Sequence, residues 1–276
     1  KTGFLVNLVE KTDSCKSNPK NAYEIYIPER AAFSKQLPLV IIIDPHGDGK
    51  FAVNKFKAGA DKYSVILVAS NYLKNGFENF EEAINVLIKD VHEKYPVNKA
   101  IVLAGFSGGA RMALGYAQHH PVNGLIMCGA LANAAQITAV NCPVFAISGT
   151  DDFNFVETAQ YLFQDQLIPE NLKIELTNSS HNWPDSLILT DAMGFLRFSS
   201  IAAHIQTTGE LSIADYCDLQ KARIDSLKKQ GDYLKAALIA RNLSTTALFN
   251  ADKSFNPVYA GLKAEKDYKS QLDKLG

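Results

Sequence analysis

Residues 98–120 read NKAIVLAGFSGGARMALGYAQHH, and the pentapeptide Gly105-Phe106-Ser107-Gly108-Gly109 sits at the centre. An apolar run enters it and a helical pattern leaves it. Glycine on both sides lets a chain turn sharply enough to expose a serine hydroxyl at the carboxyl end of a strand. The start of the helix also supplies free backbone N–H groups and the positive end of a dipole, where negative charge would develop. The same residues would serve a plain strand-to-helix turn with a capping serine. The pentapeptide leaves both readings open, so the rest of the chain has to supply a base, an acid and a place for an oxyanion.

Outward from this point the chain alternates. PLVIIID (38–44) is a continuous apolar run of the kind a strand buried on both faces needs, and SVILVAS (64–70) is the next. FENFEEAINVLIKDVHEKY (77–95) carries Phe80, Ile84, Leu87, Ile88 and Val91 at helical spacing, with Pro96 after its end. KAIVLAG, GLIMCGA (124–130), PVFAISG (143–149) and LKIELT (172–177) are further strands. Helical patterns begin near Ser107 and cover FVETAQYLFQDQL (155–167) and LILTDAMGFLRFSSIAAH (187–204). Such alternation predicts an α/β fold, a doubly wound, mostly parallel sheet covered on both faces. GFLVNLV (3–9) and AYEIYIP (22–28) come first, with no helix between them, and predict an antiparallel edge. The stretch from Lys11 to Asn21 reads as a polar loop.

The pattern changes near HIQTTGELS (204–212). Beyond it only helical periodicity remains, in ADYCDLQKARIDSLKKQ (214–230) and GDYLKAALIARNLSTTALF (231–249). Residues 1–206 are therefore expected to form the α/β domain and residues 207–276 a small C-terminal helical domain.

Bulk composition narrows the function classes. The 276 residues are 47% hydrophobic and 21% charged, with a net charge of −1. No basic run of the kind phosphate binding requires is present, so nucleic acid is not an expected partner. The longest apolar run, PLVIII, is far too short to span a bilayer. The cysteines, Cys15, Cys128, Cys142 and Cys217, are scattered without a CxxC pair, which argues against a structural zinc site and leaves pairing open. The first residue is Lys1, which fits either a removed export signal or a cut boundary. The expectation taken from it is a secreted or periplasmic protein.

Two further strand ends carry the groups a nucleophilic serine needs. Asp151 and Asp152 follow PVFAISG, where carboxylates also commonly cap the next helix. Among the six histidines, His92 lies within a helix and His119 and His120 at a helix end, while His204 falls near the linker and His46 after the third strand. His181, in TNSSHNWPDS (177–186), lies in the loop after the last strand. Ser107, Asp152 and His181 therefore run in the order Ser…Asp…His, each past a different strand. That is the chain order of α/β-hydrolase triads. An oxyanion hole would take the Gly108 N–H and an N–H from the loop DPHGDGKF (44–51), for which Asp48 is the candidate.

On these residues the chain resembles the α/β-hydrolases, and within them it is similar to the feruloyl-esterase and polyhydroxybutyrate-depolymerase-like group. The matching pieces are His46-Gly47, GFSGGARMAL, Gly149-x-x-Asp152, and His181 followed by Trp183-Pro184. The resemblance covers roughly residues 20–200. It implies Ser107 as nucleophile, His181 as base and Asp152, rather than Asp151, as its orienter. It implies acyl transfer to water without metal or cofactor. The chain departs from the group at Asp48, where a small, polar or apolar residue is usual. Two like charges ~4 Å apart repel by about 4 kcal/mol at an effective dielectric of about 20, so this carboxylate must turn away, be paired or be protonated.

The substrate expected is a small ester or an esterified glycan. LANAAQITAVN (131–141) is too short for a cap domain, which predicts an open cleft. Trp183 either stacks on a sugar or aromatic acid at that cleft or packs beside Pro184. KKQGDYLKAALIARNL (228–243) resembles the turn and second helix of a tetratricopeptide repeat, with Gly231, Tyr233, Ala236 and Ala240 at matching places. This segment is either a hairpin packed on the hydrolase body or a docking module for a protein partner. Two other functions fit the same chain: a serine peptidase, and a non-catalytic binding or scaffold protein on a hydrolase fold.

Overall fold

A computed structural model describes residues 9–29, 36–200, 212–251 and 253–275. Eight strands form one sheet in the order β1-β2-β4-β3-β5-β6-β7-β8. β1 (Val9–Ser14) and β2 (Ala22–Ile27) pair antiparallel, and β2 joins β4 (Ile66–Ser70) antiparallel. All other neighbours are parallel: β3 (Leu37–Ile43), β5 (Val97–Phe106), β6 (Gly124–Cys128), β7 (Val144–Gly149) and β8 (Leu172–Thr177). Every residue of β3, β4, β6 and β7 is buried, which is why these strands read as unbroken apolar runs.

Helices connect the parallel strands. α1 (Gly49–Tyr63) packs against α6 (Ser186–Ser200), and α2 (Phe80–Lys94) packs against α3 (Gly108–His119). Between β6 and β7 the chain forms only the single-turn helix α4 (Ala134–Thr138), and α5 (Val156–Phe163) follows β7. No cap domain is inserted there.

Several elements differ from the sequence expectation, β1 and α1 among them; α4 and the helices Phe255–Ala264 and Lys266–Asp273 likewise have no expected counterpart. β1 occupies part of the stretch read as a polar loop. It is an edge strand whose residues Glu10 and Lys11 face solvent, so it carries no apolar alternation. The expected strand GFLVNLV lies, except for Val9, outside the described residues. α1 has no counterpart among the expected helices. A Cβ on its Gly59 would lie 2.5 Å from the Met193 sulfur and 3.3 Å from Thr190 Cα, so the glycine marks a close approach of α1 to α6.

The expected boundary near residue 207 lies outside the described residues. Beyond it come α7 (Ile213–Lys229), α8 (Tyr233–Ser244), α9 (Phe255–Ala264) and α10 (Lys266–Asp273). α8 is buried along most of its length and covers the edge strand β8. The Asn242 amide both accepts from Ile174 N–H (3.2 Å) and donates to Ile174 C=O (3.0 Å), satisfying backbone groups that an exposed edge would leave open. Arg241 donates to the carbonyls of Leu172 and Ile168. From α7, Arg223 pairs with the buried Glu175 of β8 and with Asp191 of α6, the latter at 2.9 Å. These two helices pack against the β8 edge of the sheet and against α6. All four cysteines are free and buried. Among the described residues no helix is long and apolar enough to cross a membrane.

Candidate active site

The turn from β5 into α3 holds Ser107 at φ 52° and ψ −118°, a left-handed value for a non-glycine residue. Such strain costs of order 1–3 kcal/mol and persists only where surrounding structure enforces it. Two glycines provide that enforcement. A Cβ on Gly105 would lie 2.3 Å from Gly109 C, and one on Gly109 would lie 2.1 Å from Ile43 O. The Ser107 N–H donates to Cys128 O (2.8 Å), fixing the turn to the end of β6.

The three triad candidates come together. His181 Nε2 is 3.0 Å from Ser107 Oγ. His181 Nδ1 is 2.9 and 2.8 Å from the two Asp152 oxygens. The Asp152 side chain is 2% exposed and that of His181 20%, so a shielded carboxylate sits behind a partly open imidazole. Asp152 also accepts the Asn154 N–H (2.8 Å), while Asn154 Nδ2 donates to Gly129 O (2.8 Å). Asp151 is exposed and makes no part of this chain of bonds. Two aromatic rings contact the imidazole, buried Phe106 at 4.6 Å and Phe153 at 4.1 Å between centroids. Phe153 is 73% exposed.

The remaining predicted residues are placed differently. Asp48 is the N-cap of α1, and its carboxylate accepts the Phe51 N–H at 2.9 Å, so the charge is paired at the helix start. Its own N–H donates to Asp44 Oδ1 at 3.3 Å, so the expected second oxyanion donor is already engaged. Gly108 is the first residue of α3, beside Ser107. Trp183 is only 8% exposed and packs edge-on to Phe56 and against Phe106.

Asp44 is the functional residue that the sequence left without a role. It is 3% exposed, and it accepts the His46 N–H (2.8 Å), the Asp48 N–H and the Trp183 indole N–H (2.8 Å). Its position at the end of an all-apolar strand was the available signal, since a carboxylate there must find donors. Among the described residues no group of three or more His, Cys, Asp or Glu side chains is disposed to hold a metal ion.

With this geometry in hand, the chain can be set beside known proteins. No protein-family model matches it, and no curated protein is similar to it in sequence. Solved structures do match. FphF, a fluorophosphonate-binding serine hydrolase of Staphylococcus aureus, superposes with a TM-score of 0.54 at 11% identity over 68% of this chain and 98% of its own. Est1E of Butyrivibrio proteoclasticus gives 0.52 at 16% identity, over 70% of this chain and 99% of its own. A puromycin-hydrolysing peptidase of Mycobacterium tuberculosis gives 0.57 at 9% identity, over 74% of this chain and 40% of its own.

The fold is that of the α/β-hydrolases.

In that fold the carboxyl ends of β5, β7 and β8 are the places from which Ser107, Asp152 and His181 project, and the helices beyond residue 212 lie on the far edge, against β8.

Proposed function

We propose that this protein is a serine hydrolase that cleaves carboxylic esters, with Ser107, His181 and Asp152 as its triad. The observation that carries the reading is the continuous hydrogen-bonded path from Ser107 Oγ through His181 to the buried Asp152, beginning on a strained turn. His181 Nε2 takes the Ser107 proton as Oγ attacks the ester carbonyl. Asp152 holds the proton on Nδ1, keeps the imidazole in the required tautomer and stabilises the imidazolium. The Gly108 N–H, at the positive end of α3, faces the developing oxyanion. The imidazolium then protonates the leaving alcohol, and water, activated by the same histidine, releases the acid.

The substrate class proposed is an acyl group on a larger polyhydroxylated molecule, such as an esterified glycan. The absence of a cap between β6 and β7 supports access by a bulky substrate. So does a cavity of about 290 Å3 that opens one helical turn past Ser107. It is lined by Arg111, Glu157, Asn133, Gln136 and Gln160 over an apolar floor. Side chains of this kind suit hydroxyl groups better than an alkyl chain. Exposed Phe153, whose ring lies 4.1 Å from that of His181, and exposed Val156, next to cavity residue Glu157, offer an apolar contact for the acyl part.

The test is covalent labelling by a fluorophosphonate, with the modified peptide located by mass spectrometry, followed by release of acetate from an acetylated glycan. Modification at Ser107 and ester cleavage in preference to an aminoacyl peptide are expected. Failure to label would favour the scaffold reading, and faster peptide cleavage would favour a peptidase.

A further inference from the structure

The reaction proposed above needs two donors at the oxyanion, and the structure leaves one of them unaccounted for. The Asp48 N–H is spent on Asp44. The His46 N–H is spent on the same carboxylate, and the Gly47 N–H on Asp44 O (3.0 Å). The turn after β3 thus has its backbone donors facing inward.

A different segment reaches the site. The loop after β4 folds over that turn. A Cβ on Gly47, whose φ is +74°, would lie 3.2 Å from Asn71 O and 3.5 Å from Leu73 O. The loop then makes a tight turn closed by Phe77 N–H to Lys74 O (3.1 Å), with Gly76 at φ +79°. Asn75 lies within this turn, pinned to the β3 turn by its N–H to Pro45 O (2.9 Å). Its side chain extends across to the nucleophile helix. Asn75 Oδ1 stands 1.8 Å, and Nδ2 3.6 Å, from where a Cβ on Gly108 would be. The amide therefore occupies the space directly over Gly108, the residue whose N–H is the first oxyanion donor. Residue 108 has to be glycine for the amide to lie there.

We propose that the Asn75 side-chain amide is the second oxyanion donor. This rests on the serine-hydrolase reading of the site. Half a turn about the Cβ–Cγ bond exchanges Oδ1 and Nδ2, at little steric cost for an exposed side chain. A substrate carbonyl placed against the Gly108 N–H would be repelled by Oδ1 and attracted by Nδ2–H. The charge that develops during attack selects the donor orientation. Asn75 is then a catalytic residue: it touches the reacting oxygen and forms or breaks no covalent bond.

The test uses the full chain with Asn75→Asp, which keeps the shape and removes the donor, and with Asn75→Ser as a second variant. Turnover of p-nitrophenyl acetate and the rate of phosphonylation at Ser107 are both measured, because each places negative charge on the oxygen in question. The expected result is a fall in kcat of about 10²- to 10³-fold, the usual effect of losing one side-chain donor, with KM changed by less than about threefold. Phosphonylation should slow in parallel, and the unfolding midpoint of Asn75→Ser should stay with the parent's. An unchanged kcat, or a loss confined to KM, would overturn the assignment while leaving Ser107-dependent activity in place. A parent chain that neither hydrolyses the ester nor labels at Ser107 would instead overturn the serine-hydrolase reading on which the assignment depends.

Discussion

The Trp183 indole N–H donates to Asp44 Oδ2 at 2.8 Å, joining the loop that carries His181 to the turn that follows β3. One buried carboxylate thus sets the height of the histidine loop and, through the His46 and Asp48 N–H groups, the shape of the facing turn.

Trp183→Phe should keep most of the packing against Phe56 and Phe106 and lose this bond. A buried acceptor left without one donor costs about 1–3 kcal/mol. The expected outcome in urea unfolding is a loss of that size, with kcat down roughly tenfold because small misplacements of a catalytic group are felt strongly. Trp183→Ala should lose about 3–5 kcal/mol.

Ser107→Gly should stabilise the fold while abolishing turnover. At φ 52° serine is strained and glycine is not. Relief of strain, less the greater entropy of an unfolded glycine, leaves about 1 kcal/mol of gain. Denaturant titration checks it; a loss of stability would show that the turn is not under strain.

Phe153→Ala should separate binding from folding. The ring is 73% exposed, so stability should move by no more than about 0.5 kcal/mol. Because the ring lies on the His181 imidazole, kcat/KM for esters with bulky apolar acyl groups should fall about tenfold, and for acetate esters far less. Steady-state kinetics across an acyl series measures this.

Stability should rise with pH above neutrality through Lys173. This amine, on β8, is 2% exposed and donates to Thr245 Oγ1 (2.6 Å) and Glu170 O (2.8 Å). Burial first, and the neighbouring Arg241 second, push it from 10.5 down to about 7. Between these values the unfolded chain holds a proton that the folded chain does not. The penalty is full below pH 7 and is relieved as pH rises, with a limiting slope of about 1.4 kcal/mol per pH unit. Lys173→Met should flatten the profile measured by urea unfolding between pH 7 and 9, and equal slopes in the two proteins would contradict the assignment.

The parallel sheet was legible because β3, β4, β6 and β7 are buried along their whole length and read as apolar runs. Ser107, Asp152 and His181 were legible because chain order and strand ends locate such groups without knowledge of distance. What escaped depends on contacts between distant segments. α1 buries Gly49, Ala52, Val53, Phe56, Gly59, Ala60 and Tyr63 at helical spacing, but glycine and alanine make up much of that stripe and weaken its apolar signal, while β1 faces solvent and shows no alternation. The acceptor that takes the Asp48 N–H is Asp44, four residues upstream, and nothing in their spacing shows that the turn closes on itself. For Trp183 the sequence left stacking and packing both open, because it does not show that a buried carboxylate takes its N–H. Asn75 carries no pattern at all; only the folding of the β4 loop over the β3 turn brings its amide to Gly108.

The central claim is that Ser107 is a nucleophile. Hydrolysis of p-nitrophenyl acetate by the parent chain and by Ser107→Ala tests it most directly. Loss of a triad serine typically lowers kcat by about 10⁶. The account predicts turnover in the parent and only background hydrolysis in Ser107→Ala. Equal rates in the two proteins would contradict it.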